Sequence, residues 1–101
     1  MAYIGTYTKQ PYEEVNITVD FSARMGTTET ISTANVYVYD KGGTTDLAST
    51  MAGTPSISGQ TVICLIKAGT DGNQYTATYR ITTNASQKFE ADVLIKAVET
   101  N

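Results

Sequence analysis

Histidine and tryptophan are missing from this 101-residue chain, cysteine occurs once and proline twice. Without histidine the commonest general base is gone, and with it the triads built on imidazole, which argues against an enzyme. The single cysteine, Cys64, allows neither an intramolecular disulfide nor a Cys/His zinc site, so any metal would have to sit on carboxylates. Basic residues are also few: seven against ten acidic ones give a formal net charge of −3. That balance leaves no basic footprint for nucleic acid. No apolar run approaches the roughly 20 residues of a membrane span, and the first residues show no basic-then-apolar leader. The expectation is a soluble chain with no cofactor and no nucleic-acid or membrane partner. It would be made and kept in the cytoplasm unless it leaves as part of something larger.

What the chain does have is threonine, valine and tyrosine, the last outnumbering phenylalanine seven to two. Such residues fit a pleated, half-buried surface. Period-two alternation recurs between turn signals and predicts short antiparallel strands rather than helices. Val15, Ile17, Val19 and Phe21 share one face of a strand whose other face is Glu14, Asn16, Thr18 and Asp20. Between Ile31 and Tyr39 the inward set is Ala34, Val36 and Val38, leaving Asn35, Tyr37 and Tyr39 outward, with a tight turn at Asp40-Lys41-Gly42-Gly43. Thr44 to Pro55 is aperiodic and reads as a mobile connection or edge, with one short strand around Leu47 to Met51. The apolar run Val62-Ile63-Cys64-Leu65-Ile66, within Ser56 to Lys67, predicts a strand buried on both faces or one that switches partners. Gln74 to Thr83 and Lys88 to Val98 alternate again, joined as a hairpin by Asn84-Ala85-Ser86. With Tyr3 to Thr8 as a first strand, the total is about seven strands in a single domain, 1–101.

The stretch Ala68-Gly69-Thr70-Asp71-Gly72-Asn73-Gln74-Tyr75 fixes the kind of all-β fold. It reads as the E–F corner of an immunoglobulin-like β-sandwich, in which a tyrosine near the start of strand F sends its hydroxyl back to the upstream backbone. The core-cysteine position two residues later is Ala77, so the corner is kept without the disulfide. Asp71, Gly72 and Tyr75 are therefore the expected structural corner, with Asp71-Gly72 as its turn dipeptide. Calcium at Asp71 with Asp46 or Asp92 is the weaker reading, because the acidic spacing does not form a calcium loop. Cys64 reads as an inert core residue, since nothing beside it would generate a thiolate. Asn16-Ile17-Thr18 and Asn84-Ala85-Ser86 match a glycosylation sequon, which carries weight only in a secreted chain. Outward Tyr37 and Tyr39 are candidate interface residues because a tyrosine joins apolar area to a hydroxyl, and Leu47 and Met51 because a partner could dock on the irregular stretch by edge pairing or by ordering it. Cross-strand packing is the competing role for the tyrosines.

The order of motifs resembles the bacteriophage fiber-tail adaptor family of small virion proteins. The resemblance runs from about Lys9 to Val98: Lys9-Gln10-Pro11, Val19-Asp20-Phe21-Ser22, Thr30-Ile31-Ser32-Thr33-Ala34, the corner through Tyr75, Tyr79-Arg80-Ile81-Thr82-Thr83, Lys88-Phe89-Glu90 and Leu94-Ile95-Lys96. Two departures stand out. Ala68 occupies one of the paired corner glycines, and Ser86 stands where the last hairpin has glycine. The resemblance implies a structural role in the phage particle without catalytic residues. The expected function is thus a non-enzymatic adaptor or connector at the neck or tail, touching other neck or tail proteins and standing in a homo-oligomeric ring. An immunoglobulin-like adhesion or carbohydrate-binding module displayed on the virion is the alternative. A hydrolase built on Glu13, Glu14, Asp20 or Asp92 would need a pocket with convergent polar groups.

Overall fold

The computed structural model describes residues 2–40, 43 and 45–99, with side chains from residue 5 onward. Seven strands form in chain order: β1 (Ala2–Lys9), β2 (Val15–Asp20), β3 (Ile31–Asp40), β4 (Ser56–Ser58), β5 (Thr61–Ile66), β6 (Gln74–Thr83) and β7 (Lys88–Ala97). They sort into a four-stranded sheet of order β1-β7-β6-β3 and a three-stranded sheet of order β2-β5-β4. The alternating apolar positions predicted from sequence line the interior. Ile17, Val19 and Phe21 face Val36, Val38, Tyr75, Ala77, Tyr79, Ile81, Ala91, Val93, Ile95 and Ala97 in one contiguous core. This is the seven-stranded, immunoglobulin-like sandwich that the corner implied, with one pairing of different sense. β1 runs parallel to β7, with a register shift between Tyr3 and Gly5, whereas the other named pairs are antiparallel.

Two predicted elements change. Leu47 to Met51 is no strand: Ala48–Met51 is a single helical turn, α1. The physical reason is Asp46, whose Oδ1 accepts the N–H groups of Val38 and Ala48, both at 3.0 Å. With Leu47 N–H donating to Val38 O at 2.6 Å, the chain is hooked to the β3 edge at Asp46 and Leu47, and the next residues close on themselves. Met51 then drops into the core beside half-buried Leu47. The Ser56 to Lys67 run also divides. Gly59, at φ +59°, makes a turn between β4 and β5, and β5 sits between β2 and β4. Val62, Cys64 and Ile66 are buried, while Ile63 and Leu65 on the other face are only half covered, so the strand is not buried on both sides and keeps its partners. The turn expected at Asp40 to Gly43 lies partly outside the described residues, namely at Lys41 and Gly42; at its ends Gly43 N–H donates to Asp40 O at 2.7 Å.

Each end of the sandwich is latched by polar groups. At one end Gln60 Nε2 donates to the carbonyls of Gly26 and Glu29, each at 2.8 Å, and the Thr83 hydroxyl donates to Glu29 Oε2. Thr30 and Asn84 exchange bonds across the same end. At the other end lies the corner with Lys9.

Candidate interaction surface and the corner behind it

The corner follows from its glycines and its tyrosine. Gly69 takes φ +102° and sits so close to Ala97, Met51 and Tyr75 that an added Cβ would lie 3.3–3.4 Å from them. Gly72 takes φ +87°, and its N–H donates to Ala97 O at 2.8 Å. Tyr75 Oη accepts the Thr70 N–H at 2.8 Å and lies 3.5 Å from Asn73 Nδ2. Burial would raise this hydroxyl's pKa, but the donations from Thr70 and Asn73 outweigh it and bring it below the ordinary tyrosine value. Asp71 Oδ1 accepts the Glu99 N–H at 2.9 Å, tying the chain after β7 to the turn. A neighbour to which sequence reasoning gave no structural role completes the corner. Lys9, only 1 % exposed, donates from Nζ to Gln10 O at 2.8 Å and to Ala68 O at 2.5 Å. Burial pushes this ammonium's pKa down, opposed by Glu13, Tyr75 and Glu14. Its sequence signals were the Lys9-Gln10-Pro11 motif of the resemblance and its place at the end of β1.

The two sheets are pinned at the centre by Tyr79, which is fully buried and donates from Oη to Ile17 O on β2 at 2.9 Å. Burial holds its pKa well above the ordinary tyrosine value. This bond joins the sheets near where a disulfide-bearing sandwich has its cross-link. Cys64 lies in the core at 1 % exposure, its thiol pKa raised by burial.

The outer face of the four-stranded sheet brings the predicted tyrosines together with residues from β6 and β7. Register sets Asn35 beside Arg80 and Glu90, Tyr37 beside Thr78 and Asp92, and Tyr39 beside Thr76 and Leu94. Both tyrosines are half-buried. The Arg80 guanidinium lies over the Tyr37 ring at 5.1 Å and bonds Glu90 Oε1 through Nε at 2.5 Å. Glu90 thus stabilises the cation, first by hydrogen bond and then by charge, and raises the Arg80 pKa. A shallow groove lined by Asn35, Tyr37, Arg80, Thr82, Lys88 and Glu90 runs alongside. Under the same face Thr78 Oγ1 donates to the buried Asp92 at 2.8 Å. Near the sheet end Arg24 stacks over Phe89 at 5.1 Å and donates to Glu90 O.

The other predicted interface residues do not join this surface. Met51 is 3 % exposed and faces the core; Leu47, four residues earlier on the same side of α1, is half-buried against that core. Both were placed outward on the expectation of an irregular edge, and the helical turn folds them in. An exposed aromatic that the sequence reading did not single out is Tyr12, 95 % exposed in the loop between β1 and β2. The carboxylates weighed for acid–base work are scattered. Glu13 Oε1 accepts the Gln10 N–H, Asp20 Oδ1 accepts the Ser22 N–H, and Asp92 lies on the opposite sheet from Asp20. Asp92 is not solvated as a free surface acid would be, since Thr78 holds it. Among the described residues no three His, Cys, Asp or Glu side chains gather as a metal site. No helix among them is long and apolar enough to cross a membrane.

Comparison with known proteins places these features in a lineage. No protein of curated function matches the chain. The family described as podophage GP4 fiber-tail adaptor protein gp77 matches residues 9–96, from buried Lys9 through the corner to Lys96 in β7. With most of its length covered, the chain belongs to the podophage GP4 fiber-tail adaptor family, a family of structural proteins of the phage tail.

Proposed function

We propose that the chain is a non-enzymatic connector at the neck or tail of the particle, and that it meets a neighbouring tail protein through the outer face of the β1-β7-β6-β3 sheet. The observation that carries this reading is the set Tyr37, Arg80 and Glu90. An arginine stacked on a tyrosine and steered by a carboxylate is held in place before docking, so less side-chain entropy is lost on binding. Tyrosine and arginine are also the types that dominate interface energetics. Tyr39, Asn35 and the rim residue Lys88 would extend the contact. Several copies standing in a ring around the tail would make weak individual contacts sufficient, because each copy raises the effective concentration of the next.

The test is to assemble particles from cells supplying wild-type protein or the double variant Tyr37→Ser with Arg80→Ser, and to quantify the chain in purified particles by peptide mass spectrometry. Both substitutions lie on the solvent side of the sheet, so folding should survive. Incorporation is expected to fall at least tenfold. Undiminished incorporation of a folded variant would remove the sheet face from the proposal, and particles that never contain the wild-type chain would remove the structural role. Glycan binding by the same face would favour the adhesion module instead.

A further inference from the structure

The four-stranded sheet ends at β3, and that edge is open over a short, bounded stretch. In the β3–β6 ladder Val38 turns its N–H and C=O away from β6, toward Asp46 and Leu47. Backbone direction alternates along a strand, so Val36 and Ala34 turn theirs the same way. At Val38 the hook from Asp46 and Leu47 takes both groups; at Val36 and Ala34 no group of the described residues takes either. The opposite limit is the register shift between Ile31 and Thr33, where Ile31 N–H is already bonded to Gly59 O at 3.2 Å. Ser32 to Val36 therefore presents unpaired donors and acceptors with neither proline nor charge, the devices that usually blunt an edge.

A second observation shows what would cover it. Ile57 on β4 pairs with Val62, whose side chain is fully buried, and directly paired residues share a face. Ile57 therefore points to the inner side of its sheet, yet it is 41 % exposed. β4 lies across from β3, and the four-stranded sheet stops there, leaving the seam between the two sheet edges uncovered beside Ile57.

We infer that the Ser32 to Val36 edge receives an extended segment of another virion protein as an added strand, with alternate apolar side chains directed onto Ile57 and polar ones outward. Main-chain bonds to Ala34 and Val36 would supply affinity and the apolar seam would select the sequence, as in strand addition generally. A second copy fits less well. Its own β3 carries the same Asp46 and Leu47 hook: pairing Ala34 with the copy's Val36 sets that hook opposite Ser32, in the path of the strand, and pairing Ala34 with the copy's Ala34 sets it opposite Thr30, where Asn84 and Gly59 already hold the chain. A slender chain segment has no such obstruction. This inference rests on the adaptor reading and adds the mode of docking.

The experiment uses particles assembled with a photo-crosslinking amino acid in place of Ile57 or, in a separate preparation, of Tyr37, followed by identification of the joined peptides. Position 57 is expected to join a contiguous stretch of a different virion protein. Joining of copy to copy at 57, or no product at 57 while 37 gives one, overturns strand docking and leaves the adaptor reading standing; a chain absent from particles overturns both. A second arm measures incorporation of Ala34→Pro, which removes an edge N–H unused by the β3–β6 ladder, and of Ile57→Lys, which spoils the seam without touching the backbone. Incorporation is expected to fall at least tenfold for each variant that keeps the wild-type melting temperature. Normal incorporation of either folded variant overturns the inference.

Discussion

Ser86 and Ala68 take φ values of +63° and +59°, in the left-handed region that costs a residue with a Cβ about 1–2 kcal/mol. Both stand where the family resemblance led one to expect glycine, so the departures in sequence are strained backbone in the structure. Ser86→Gly is expected to stabilise the fold by about 0.5–1 kcal/mol, since glycine's own entropic loss offsets part of the relief. In a thermal melt this appears as a rise of a few degrees. Ala68→Gly should gain less, because the Ala68 methyl packs against the core. Two buried polar side chains point the other way. Tyr79→Phe removes the bond to Ile17 O, which keeps its ladder partner on β5, and is expected to cost about 0.5–1.5 kcal/mol. Lys9→Met keeps the aliphatic stem but strands the Ala68 carbonyl, while Gln10 O keeps the Glu13 N–H, with an expected loss of about 1–3 kcal/mol. Urea melts of the two variants measure both, and a Lys9→Met protein as stable as wild type would show that the Ala68 carbonyl reaches water.

Among elements, the hook before α1 and the latch around Glu29 depend on carboxylates. Asp46 joins α1 to the β3 edge through two backbone N–H groups. Asp46→Ala should release that edge and speed hydrogen exchange at Val38 by at least tenfold while leaving β6 and β7 protected. At the other end, the hydroxyl of Thr83 and the N–H of Gly26 hold the Glu29 pKa below its ordinary value, and bonds from Ser22 do the same for Asp20. A carboxylate with a depressed folded pKa binds its proton less tightly in the fold than in the unfolded chain. Its stabilisation is therefore present above the ordinary carboxylate value and lost as pH falls through the folded one. The melting temperature is expected to be flat above about pH 5 and to drop below it, with a shallower drop in Glu29→Gln, measured by circular dichroism across pH 2–6.

For the whole molecule, the sheets are joined by packing, by the Tyr79 bond and by the polar latches at their ends rather than by sulfur. A reductant should leave the melting curve unchanged, and Cys64, at 1 % exposure, should react with a thiol reagent only as fast as the molecule opens. Rapid labelling under native conditions would show that the β5 side of the core breathes.

Alternation alone determined most of the fold. A period of two can be satisfied only by strands with one dry face, and Val15 to Phe21, Val36 to Val38, Tyr75 to Ile81 and Phe89 to Ala97 all met that condition on the predicted side. The corner was legible because glycine and tyrosine do there what few residues can. What the sequence could not decide were features made by distant partners. The short helix at Ala48–Met51 exists because Asp46 finds β3, and Met51 turns from surface to core with it. Lys9 is buried because the corner, 59 residues on, offers the Ala68 carbonyl. Arg80 meets Tyr37, and the β3 edge stays open beside Ile57, only once two sheets have been stacked. Local pattern fixes which face is dry; which side chains meet, and which backbone is left unpaired, is set by tertiary contacts that no short window of sequence contains.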